Sequence, residues 1–279
     1  MAKAYGGDGI PRSSGDPNEV GRAFRKRVER GDLLLGAMVM ELVRPILVKI
    51  YKQAGFDFIY MDNEHVLMAG LPDMGAFVQA ARDNGIPVIA KCPDLARPEV
   101  GRLLEAGVTA IQLPRTESRR DLETLMDYMR FPPRGSRAGA PILGNVDYVW
   151  PPDVSQWMKD ADEATLIVGH IETRKGFENA EEIISTPGLD IIYVGPLDFS
   201  ISMGHPGDYD HPEVRSGMEK ILSLCKEHGV MFGTTASGPE GGQEWVSQGA
   251  RFFEVIDDLT MLHQGSAGAV EPYRKMKLD

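Results

Sequence analysis

Residues 53–65 read Gln53-Ala-Gly-Phe-Asp-Phe-Ile-Tyr-Met-Asp-Asn-Glu-His65, and this stretch contains the unit from which the fold can be predicted. A helical segment ends at Gly55, an apolar run follows at Phe58–Met61, and four polar residues come directly after it. Glycine supplies the left-handed conformation that ends a helix, and a short link then leads into a strand. The stretch is therefore typical of a helix–glycine–strand unit whose strand ends in polar side chains.

The same unit recurs at Gly85, Gly107, Gly229 and Gly249, each followed by a short apolar run. Three further runs read as strands, at 33–40, 166–171 and 191–194, so that eight strands begin near residues 33, 57, 87, 109, 166, 191, 230 and 252. Repeated strand–helix units indicate a parallel sheet, and eight of them are typical of a (β/α)8 TIM barrel. A doubly wound open sheet is the alternative, although no Gly-x-Gly-x-x-Gly follows the first strand.

The chain divides into an arm and one large domain. Residues 1–20 are rich in Gly, Ser and Pro and predict a flexible N-terminal arm, and a short basic helix is predicted at Glu19–Arg30. We therefore assign 1–30 to the arm and helix and 31–279 to a single barrel domain, a size that fits barrels of about 250 residues. The interval between the fourth and fifth strands is too long for one helix and predicts an extended surface loop.

Composition excludes several classes of protein. The 279 residues carry 41 acidic and 30 basic side chains, a formal charge of −11, which disfavours binding to nucleic acid or to anionic membranes. No run approaches the roughly 18 apolar residues of a membrane span, and the N-terminus lacks the apolar segment of a secretory signal. Two cysteines exclude a disulfide scaffold and a multi-cysteine zinc site. We expect a cytoplasmic enzyme.

Polar side chains concentrate where the predicted strands end. In a barrel these carboxyl ends meet at one mouth, where the chemistry takes place. The polar residues at the strand ends are Asp62, Asn63, Glu64, His65, Lys91, Gln112, Arg115, His170, Glu172, Asp198, Asp257 and Asp258.

Each of the main candidates has two interpretations. Glu172 and Asp198 end neighbouring strands and suit a hard divalent cation such as Mg²⁺ or Mn²⁺, but each could instead cap the following helix. His65 is a candidate general base or an ordinary loop histidine. Lys91 could hold a substrate carboxylate, form a Schiff base, or extend to the rim as a solvated lysine.

Five segments in order resemble the HpcH/HpaI family of metal-dependent pyruvate aldolases. The first is 53–65, which resembles the family's AGFDF…D-x-E-H segment, and the resemblance extends over roughly residues 33–265. The other four are Leu103-Leu-Glu-Ala-Gly107, Tyr128-Met-Arg-Phe-Pro-Pro-Arg-Gly-Ser-Arg137, Ile171-Glu-Thr173 and Val194-Gly-Pro-Leu-Asp-Phe-Ser200.

The resemblance implies a (β/α)8 barrel of the phosphoenolpyruvate/pyruvate type, assembled as a homo-hexamer, a trimer of dimers. It implies that Glu172 and Asp198 bind Mg²⁺ or Mn²⁺, with Co²⁺ as a further option. His65 would be the acid/base acting through water, and Glu105 would occupy the position of the aspartate that orients it. Asp62 matches an aspartate near that site. Backbone amides around Gly195, Pro196 and Leu197 would hold the substrate carboxylate.

The chain departs from the family pattern at three positions. Lys91 replaces an arginine, and a lysine is a point charge where arginine binds a carboxylate through two hydrogen bonds. His170 replaces a glutamine and could bind the metal, donate to the substrate, or substitute for the amide as a donor. Glu105 replaces an aspartate with a side chain one methylene longer.

The function that follows is reversible cleavage of a 4-hydroxy-2-oxo acid to pyruvate and an aldehyde. The aldehyde would be selected by rim loops at 66–72, 134–150 and 202–212. Alternatives are a carbon–carbon ligase or lyase that uses oxaloacetate or an acyl group, including citrate-synthase-like or decarboxylating enzymes, a Schiff-base aldolase through Lys91, and a barrel that binds ligands without catalysis.

Overall fold

The computed structural model describes residues 16–66, 71–236 and 238–277, with backbone only at 71 and 72. Strands and helices alternate along this part of the chain. The strands are β1 Leu34–Val39, β2 Phe58–Met61, β3 Val88–Lys91, β4 Ala110–Leu113, β5 Leu166–His170, β6 Ile191–Val194, β7 Met231–Thr234 and β8 Phe252–Asp257. The helices are α1 Glu19–Arg30, α2 Pro45–Ala54, α3 Leu71–Asp83, α4 Arg97–Ala106, α5 Arg119–Met129, α6 Val154–Ala164, α7 Arg174–Glu178, α8 Ala180–Ile184, α9 Pro196–Ser202, α10 Pro212–His228, α11 Gly238–Gln248 and α12 Asp258–Arg274.

The eight strands form one closed parallel barrel in sequence order, and β1 pairs with β8 to close it. The predicted (β/α)8 barrel is therefore confirmed, and the open-sheet alternative is wrong. Gly55, Gly85, Gly107, Gly229 and Gly249 all have positive φ, as the helix–glycine–strand pattern requires.

Aromatic rings fill the barrel interior below the mouth. The rings of Phe58 and Phe252 stack with centroids 4.3 Å apart, and both side chains are fully buried. Gly36 and Gly233 lie against these two rings, at positions where a Cβ atom would overlap them. The glycines thus provide the space for a hydrophobic layer that closes the interior and leaves the mouth as the accessible end.

Helix α1 closes the N-terminal end of the barrel. Phe24 is buried and its ring lies 6.1 Å from that of Phe58, while Gly21 packs against the backbone of Ala164 in α6. The predicted boundary after residue 30 thus separates α1 from the barrel against which it packs. Residues 1–15 of the predicted arm lie outside the described residues.

The predicted surface loop after β4 lies at the opposite end of the barrel from the mouth. Helix α5 returns toward the N-terminal end of the sheet, and the following segment pairs with residues there: Asp147 accepts from Arg82, and Arg130 donates to Thr165 beside the start of β5. The expectation that 134–150 is a rim loop is therefore wrong for a single chain. Of the other two predicted rim loops, 202–212 does reach the mouth, and 67–70 are outside the described residues.

None of the helices in the described part of the chain combines the length and the apolar character that a membrane crossing demands.

Candidate active site

The turn after β2 presents three polar side chains to the mouth. Asp62 is buried, and its Oδ1 accepts from the backbone N–H groups of Glu64 at 2.7 Å and His65 at 3.0 Å. A short acidic side chain that binds its own following amides fixes the direction of a turn. Asp62 is therefore placed to orient Glu64 and His65, whereas the side chain of His65 is half-exposed.

Lys91 meets this turn from the end of β3. Its Nζ forms an ion pair with Glu64 Oε2 and lies 3.4 Å from His65 Nε2, and Glu64 Oε2 lies 3.3 Å from the same His65 nitrogen. Burial lowers the pKa of Lys91, but the hydrogen bond to Glu64 and the charges of Glu172 and Asp62 outweigh it, so the net pKa is raised. The amine is thus a fixed cation. Sequence reasoning identified Lys91 and His65 but did not assign Glu64 as the group that joins them.

Glu172 follows β5 and is almost completely buried, while Asp198, in the first turn of α9, is exposed and lines the mouth. Glu172 Oε1 accepts from the Arg115 N–H at 2.7 Å. Burial raises the pKa of Glu172 to about 6; Lys91 and the Arg115 amide oppose the shift, and Asp198 adds to it. Two carboxylates that repel each other beside a cavity form a donor set suited to a hard divalent cation.

His170 lies beside Glu172 and has protein partners on both ring nitrogens. Its Nε2 accepts from the Gly195 N–H at 3.1 Å and lies 3.1 Å from Glu172 Oε2, and its Nδ1 lies 3.1 Å from Gln112 Nε2. Burial holds the pKa of His170 well below its ordinary value, so the ring is neutral. Within the described part of the chain, Gln112 Oε1 has no hydrogen-bond partner, and turning the amide over would let this oxygen accept from a proton on Nδ1. These contacts favour a positioning role for His170 over a direct contact with substrate.

Gly195 connects β6 to α9 at the mouth, and Pro196 and Leu197 are the first two residues of that helix. The Gly195 N–H is already used by His170, and Pro196 has no amide hydrogen. Of the three predicted carboxylate-binding positions, Leu197 alone has an amide in the first helical turn, where N–H groups lack intrahelical acceptors. Gly195 also cannot take a side chain, because a Cβ there would come within 2.6 Å of His170 Nε2.

Glu105 is not brought to the mouth. It lies in the last turn of α4, which leads into the start of β4 and hence to the N-terminal end of the barrel. Its backbone packs against Gly144, and the nearby charge that it influences is that of Arg137. The expectation that Glu105 orients His65 is therefore corrected for a single chain: the carboxylate beside His65 is that of Glu64.

A cavity of about 480 Å³ opens at the mouth and extends sideways between α10 and α11. Its inner part is polar and is lined by Asp62, His65, Lys91, His170, Asp198 and Glu254. In the side region the guanidinium of Arg215 stacks 4.3 Å from the ring of Trp245 and forms ion pairs with Glu219 at 2.9 Å and Glu244 at 2.8 Å. Sequence reasoning did not identify this side region.

Sequence reasoning also missed Glu254, a further carboxyl group of the site. Glu254 lies within β8, is 3 % exposed and lines the cavity. The alternation of side chains along a strand could have identified it. Because Phe252 points into the barrel, the side chain two positions later points into the barrel as well.

The comparisons with known proteins agree with this architecture. The sequence profile of the family HpcH/HpaI aldolase/citrate lyase matches residues 37–264. A hydroxypyruvate/pyruvate aldolase from Roseovarius nubinhibens is 26% identical over 251 residues, which cover 90% of this chain and 96% of that protein. A 5-keto-4-deoxy-D-glucarate aldolase from Shigella boydii is 25% identical, with 84% of this chain and 90% of the relative covered.

Solved structures have the same barrel fold. An HpcH/HpaI aldolase from Desulfitobacterium hafniense superposes with a TM-score of 0.84 at 25% identity, covering 91% of this chain and 97% of that one. The citrate synthase SbnG superposes with a TM-score of 0.80 at 23% identity, covering 90% and 97%, and at that identity the likeness concerns the fold alone.

Proposed function

This chain belongs to the HpcH/HpaI aldolase/citrate lyase family, and from that premise we propose that it is a metal-dependent aldolase. The proposed reaction is reversible cleavage of a 4-hydroxy-2-oxo acid into pyruvate and an aldehyde. The observation that carries the proposal is the grouping of the buried carboxylate of Glu172 with Asp198 and Lys91, which line the cavity and both shift the pKa of Glu172. The aldolase relatives support the same reaction class.

Glu172 and Asp198 would hold the metal, for which we propose Mg²⁺ or Mn²⁺. The donor set fits, because oxygen ligands with room for water suit these ions. When bound, the ion supplies Lewis acidity toward the oxo acid. The Arg115 N–H on Oε1 fixes the direction in which the Glu172 carboxylate points.

The other residues bind the substrate and move its protons. Lys91 places a fixed positive charge where negative charge grows on the substrate oxygen during cleavage. His65, exposed at the rim, would take the proton of the 4-hydroxyl through a water molecule, and Asp62 and Glu64 hold its position. Loss of that proton drives the electrons of the C3–C4 bond into the oxo acid, which gives the enolate of pyruvate and a free aldehyde.

We also propose that the protein is cytoplasmic and acts as a homo-oligomer, with the hexamer as the expected form. An exposed apolar stripe on α12, formed by Leu259, Leu262, Val270 and Tyr273, supports association.

Exchange of the C3 protons of pyruvate with deuterium from solvent tests the proposal without knowledge of the aldehyde. We expect exchange in the presence of Mg²⁺ or Mn²⁺, its loss with EDTA, and a decrease of roughly 100-fold or more in Glu172→Gln and Asp198→Asn. Glu178→Gln is the matched control, because Glu178 is an exposed carboxylate in the same strand-to-helix segment.

Each other outcome has a defined meaning. Exchange that survives EDTA would replace the metal mechanism by a Schiff base at Lys91. Absence of exchange with bound metal would leave a barrel that binds ligands without this chemistry. Decarboxylation of oxaloacetate without C3 exchange of pyruvate would favour the oxaloacetate-using alternative.

A further inference from the structure

Glu254 is a buried carboxyl group for which the mechanism above has no role. It lies on β8, inside the barrel and at the cavity wall, and its Oε1 has no hydrogen-bond partner among the residues that the structure describes. An unpaired buried polar atom is costly, so such groups need an explanation. The titratable groups that act on Glu254 come from four other parts of the barrel, and they are Tyr193, Lys91, Asp62, Glu172 and Tyr60.

Besides its own place at the cavity wall, Glu254 has a second route to the cavity through a chain of two hydroxyl groups. The phenol of Tyr193 on β6 interacts with the Glu254 carboxyl, and its Oη lies 2.5 Å from the Thr235 hydroxyl at the end of β7. Thr235 is partly exposed and also lines the cavity. Hydroxyl groups both donate and accept, so a proton can pass along this chain by successive exchange of hydrogen bonds.

The proposed aldol chemistry requires a second proton transfer. Cleavage removes one proton from the 4-hydroxyl at the rim, where His65 stands, and leaves an electron pair at C3 that must take up another proton. His65 carries a proton after the first transfer, but it stands half-exposed at the rim and would have to return that proton through water to a carbon inside the cavity. A proton donor separate from the rim would allow both transfers to proceed independently.

We propose that Glu254 is that donor, and that Tyr193 and Thr235 recharge it from the cavity. This inference rests on the proposed aldolase function. In cleavage, the O–H bond of the Glu254 carboxylic acid breaks, a C3–H bond forms, and the carboxylate then regains a proton through Tyr193 and Thr235. In the reverse direction, the carboxylate takes a proton from C3 and leaves the electron pair on the enolate.

The charge state of Glu254 agrees with this role. Burial, with the charges of Asp62 and Glu172, raises the pKa of Glu254 to about 8 against the opposing effects of Tyr193 and Lys91. At neutral pH the group therefore carries its proton, and a general acid of this kind works best when its pKa lies near the working pH.

The test compares Glu254→Gln with the wild type in deuterium exchange at pyruvate C3. Glutamine keeps the shape of the side chain but cannot act as an acid, so we expect exchange to fall roughly 100-fold, within the range for loss of a general acid–base group. Glu178→Gln is the matched control, because Glu178 is an exposed carboxylate at the end of α7 and does not line the cavity. Wild-type exchange should rise with pH toward about 8, and this dependence should be absent in Glu254→Gln.

Two further measurements do not depend on turnover of the Gln variant. Infrared spectra of the metal-free protein at pH 6.5 should contain the carbonyl stretch of a protonated carboxylic acid that Glu254→Gln lacks. Tyr193→Phe and Thr235→Val retain Glu254 but interrupt the hydroxyl chain, and we expect each to slow exchange about 10-fold or more. If Glu254→Gln does not fold, these two variants decide the question.

The inference is overturned if folded Glu254→Gln exchanges pyruvate protons within twofold of the wild type, if both hydroxyl variants are unaffected, or if the infrared band is absent. These results differ from failure of the proposed function, in which the wild-type protein itself would show no metal-dependent exchange. In that case the inference fails with it.

Discussion

Glu254 should make the stability of the protein depend on pH, whatever its catalytic role. Its pKa is raised to about 8 in the folded state, whereas an exposed glutamate titrates near about 4.3. Between these values the folded chain holds a proton that the unfolded chain releases. Its contribution to stability is therefore complete below about pH 4 and is lost as pH rises toward 8.

We predict that Glu254→Gln removes this dependence. The quantity to compare is the unfolding free energy of the variant minus that of the wild type. This difference should increase from pH 5 to pH 8 by at most about 1.4 kcal/mol per pH unit, and it should stay constant above pH 8. Urea unfolding at several pH values measures it. Glu178→Gln, at an exposed carboxylate, should run parallel to the wild type. Parallel curves for Glu254→Gln would mean that Glu254 is ionised in the folded protein.

Lys91 should not form a covalent adduct with pyruvate. Schiff-base formation requires the unprotonated amine, and the raised pKa of Lys91, together with its ion pair to Glu64, keeps the amine charged. Borohydride reduction in the presence of pyruvate, followed by mass spectrometry, is expected to leave the mass of residue 91 unchanged. A pyruvate-dependent increase in mass at Lys91 would refute this and would revive the Schiff-base alternative.

Charge at position 91 should nevertheless matter for rate. Lys91→Met removes the cation nearest to the developing oxyanion, and we expect kcat/KM to fall roughly 100-fold, as for loss of one oxyanion donor. Lys91→Arg keeps the charge and should retain more activity than Lys91→Met. Equal losses in the two variants would show that the shape of the lysine, and not its charge, is what the site requires.

At the scale of single residues, the sequence predicted which residues lie at the mouth better than it predicted which side chains they contact. Lys91 and His65 were identified because each follows an apolar run, and the end of a strand is a position that a sequence pattern can locate. The ion pair between Lys91 and Glu64 depends on how a turn folds back across the mouth, and no periodicity encodes that path. Glu254 was missed because an acidic residue within an apolar run looks like an interruption, although its alternation with Phe252 places it inside.

Among the elements, the strands of the barrel floor depend on two glycines that leave space for aromatic rings. We predict that Gly36→Ala destabilises the protein by about 1–3 kcal/mol, because a Cβ atom at this position overlaps the Phe58 ring, which already stacks on Phe252. Denaturant unfolding, with activity measured in parallel, tests it. Gly101→Ala in α4 is the matched control: a Cβ there meets nothing, and the change should stabilise the helix by about 0.5–1 kcal/mol. A neutral Gly36→Ala would mean that the aromatic layer shifts without cost.

The positions of the strands and helices were largely predictable from the sequence. The sequence did not predict at which end of the barrel the loop after β4 and the end of α4 lie. Strand and helix positions follow from apolar runs and from glycines that end helices, and all eight strands appear where the pattern indicates. The segment 134–150 and Glu105 were expected at the mouth but lie at the N-terminal end. The physical reason is the direction of the helices, which run antiparallel to the strands. A helix in a parallel barrel therefore ends at the N-terminal end of the barrel, where the strands begin.

For the molecule as a whole, α12 is the feature that a single chain does not explain. From residue 262 to 277 every side chain is exposed, although an isolated helix of this length is only marginally stable in water. Four large apolar residues, Leu259, Leu262, Val270 and Tyr273, are between 42 % and 70 % exposed. Their spacing of three, eight and three residues places them along one face of the helix.

We predict that this stripe packs against another copy of the chain. Light scattering during size exclusion should give a mass that is a multiple of 30.7 kDa, with six copies expected. Leu262→Glu and Val270→Glu place charges in the stripe and should shift the protein to smaller species, because burying an unpaired charge opposes association. Gln264→Glu adds the same charge on the opposite face of α12 and should leave the assembly intact. A wild-type mass of one chain would show that α12 remains free in solution, and equal behaviour of all three variants would show that the stripe is not the surface through which the chains associate.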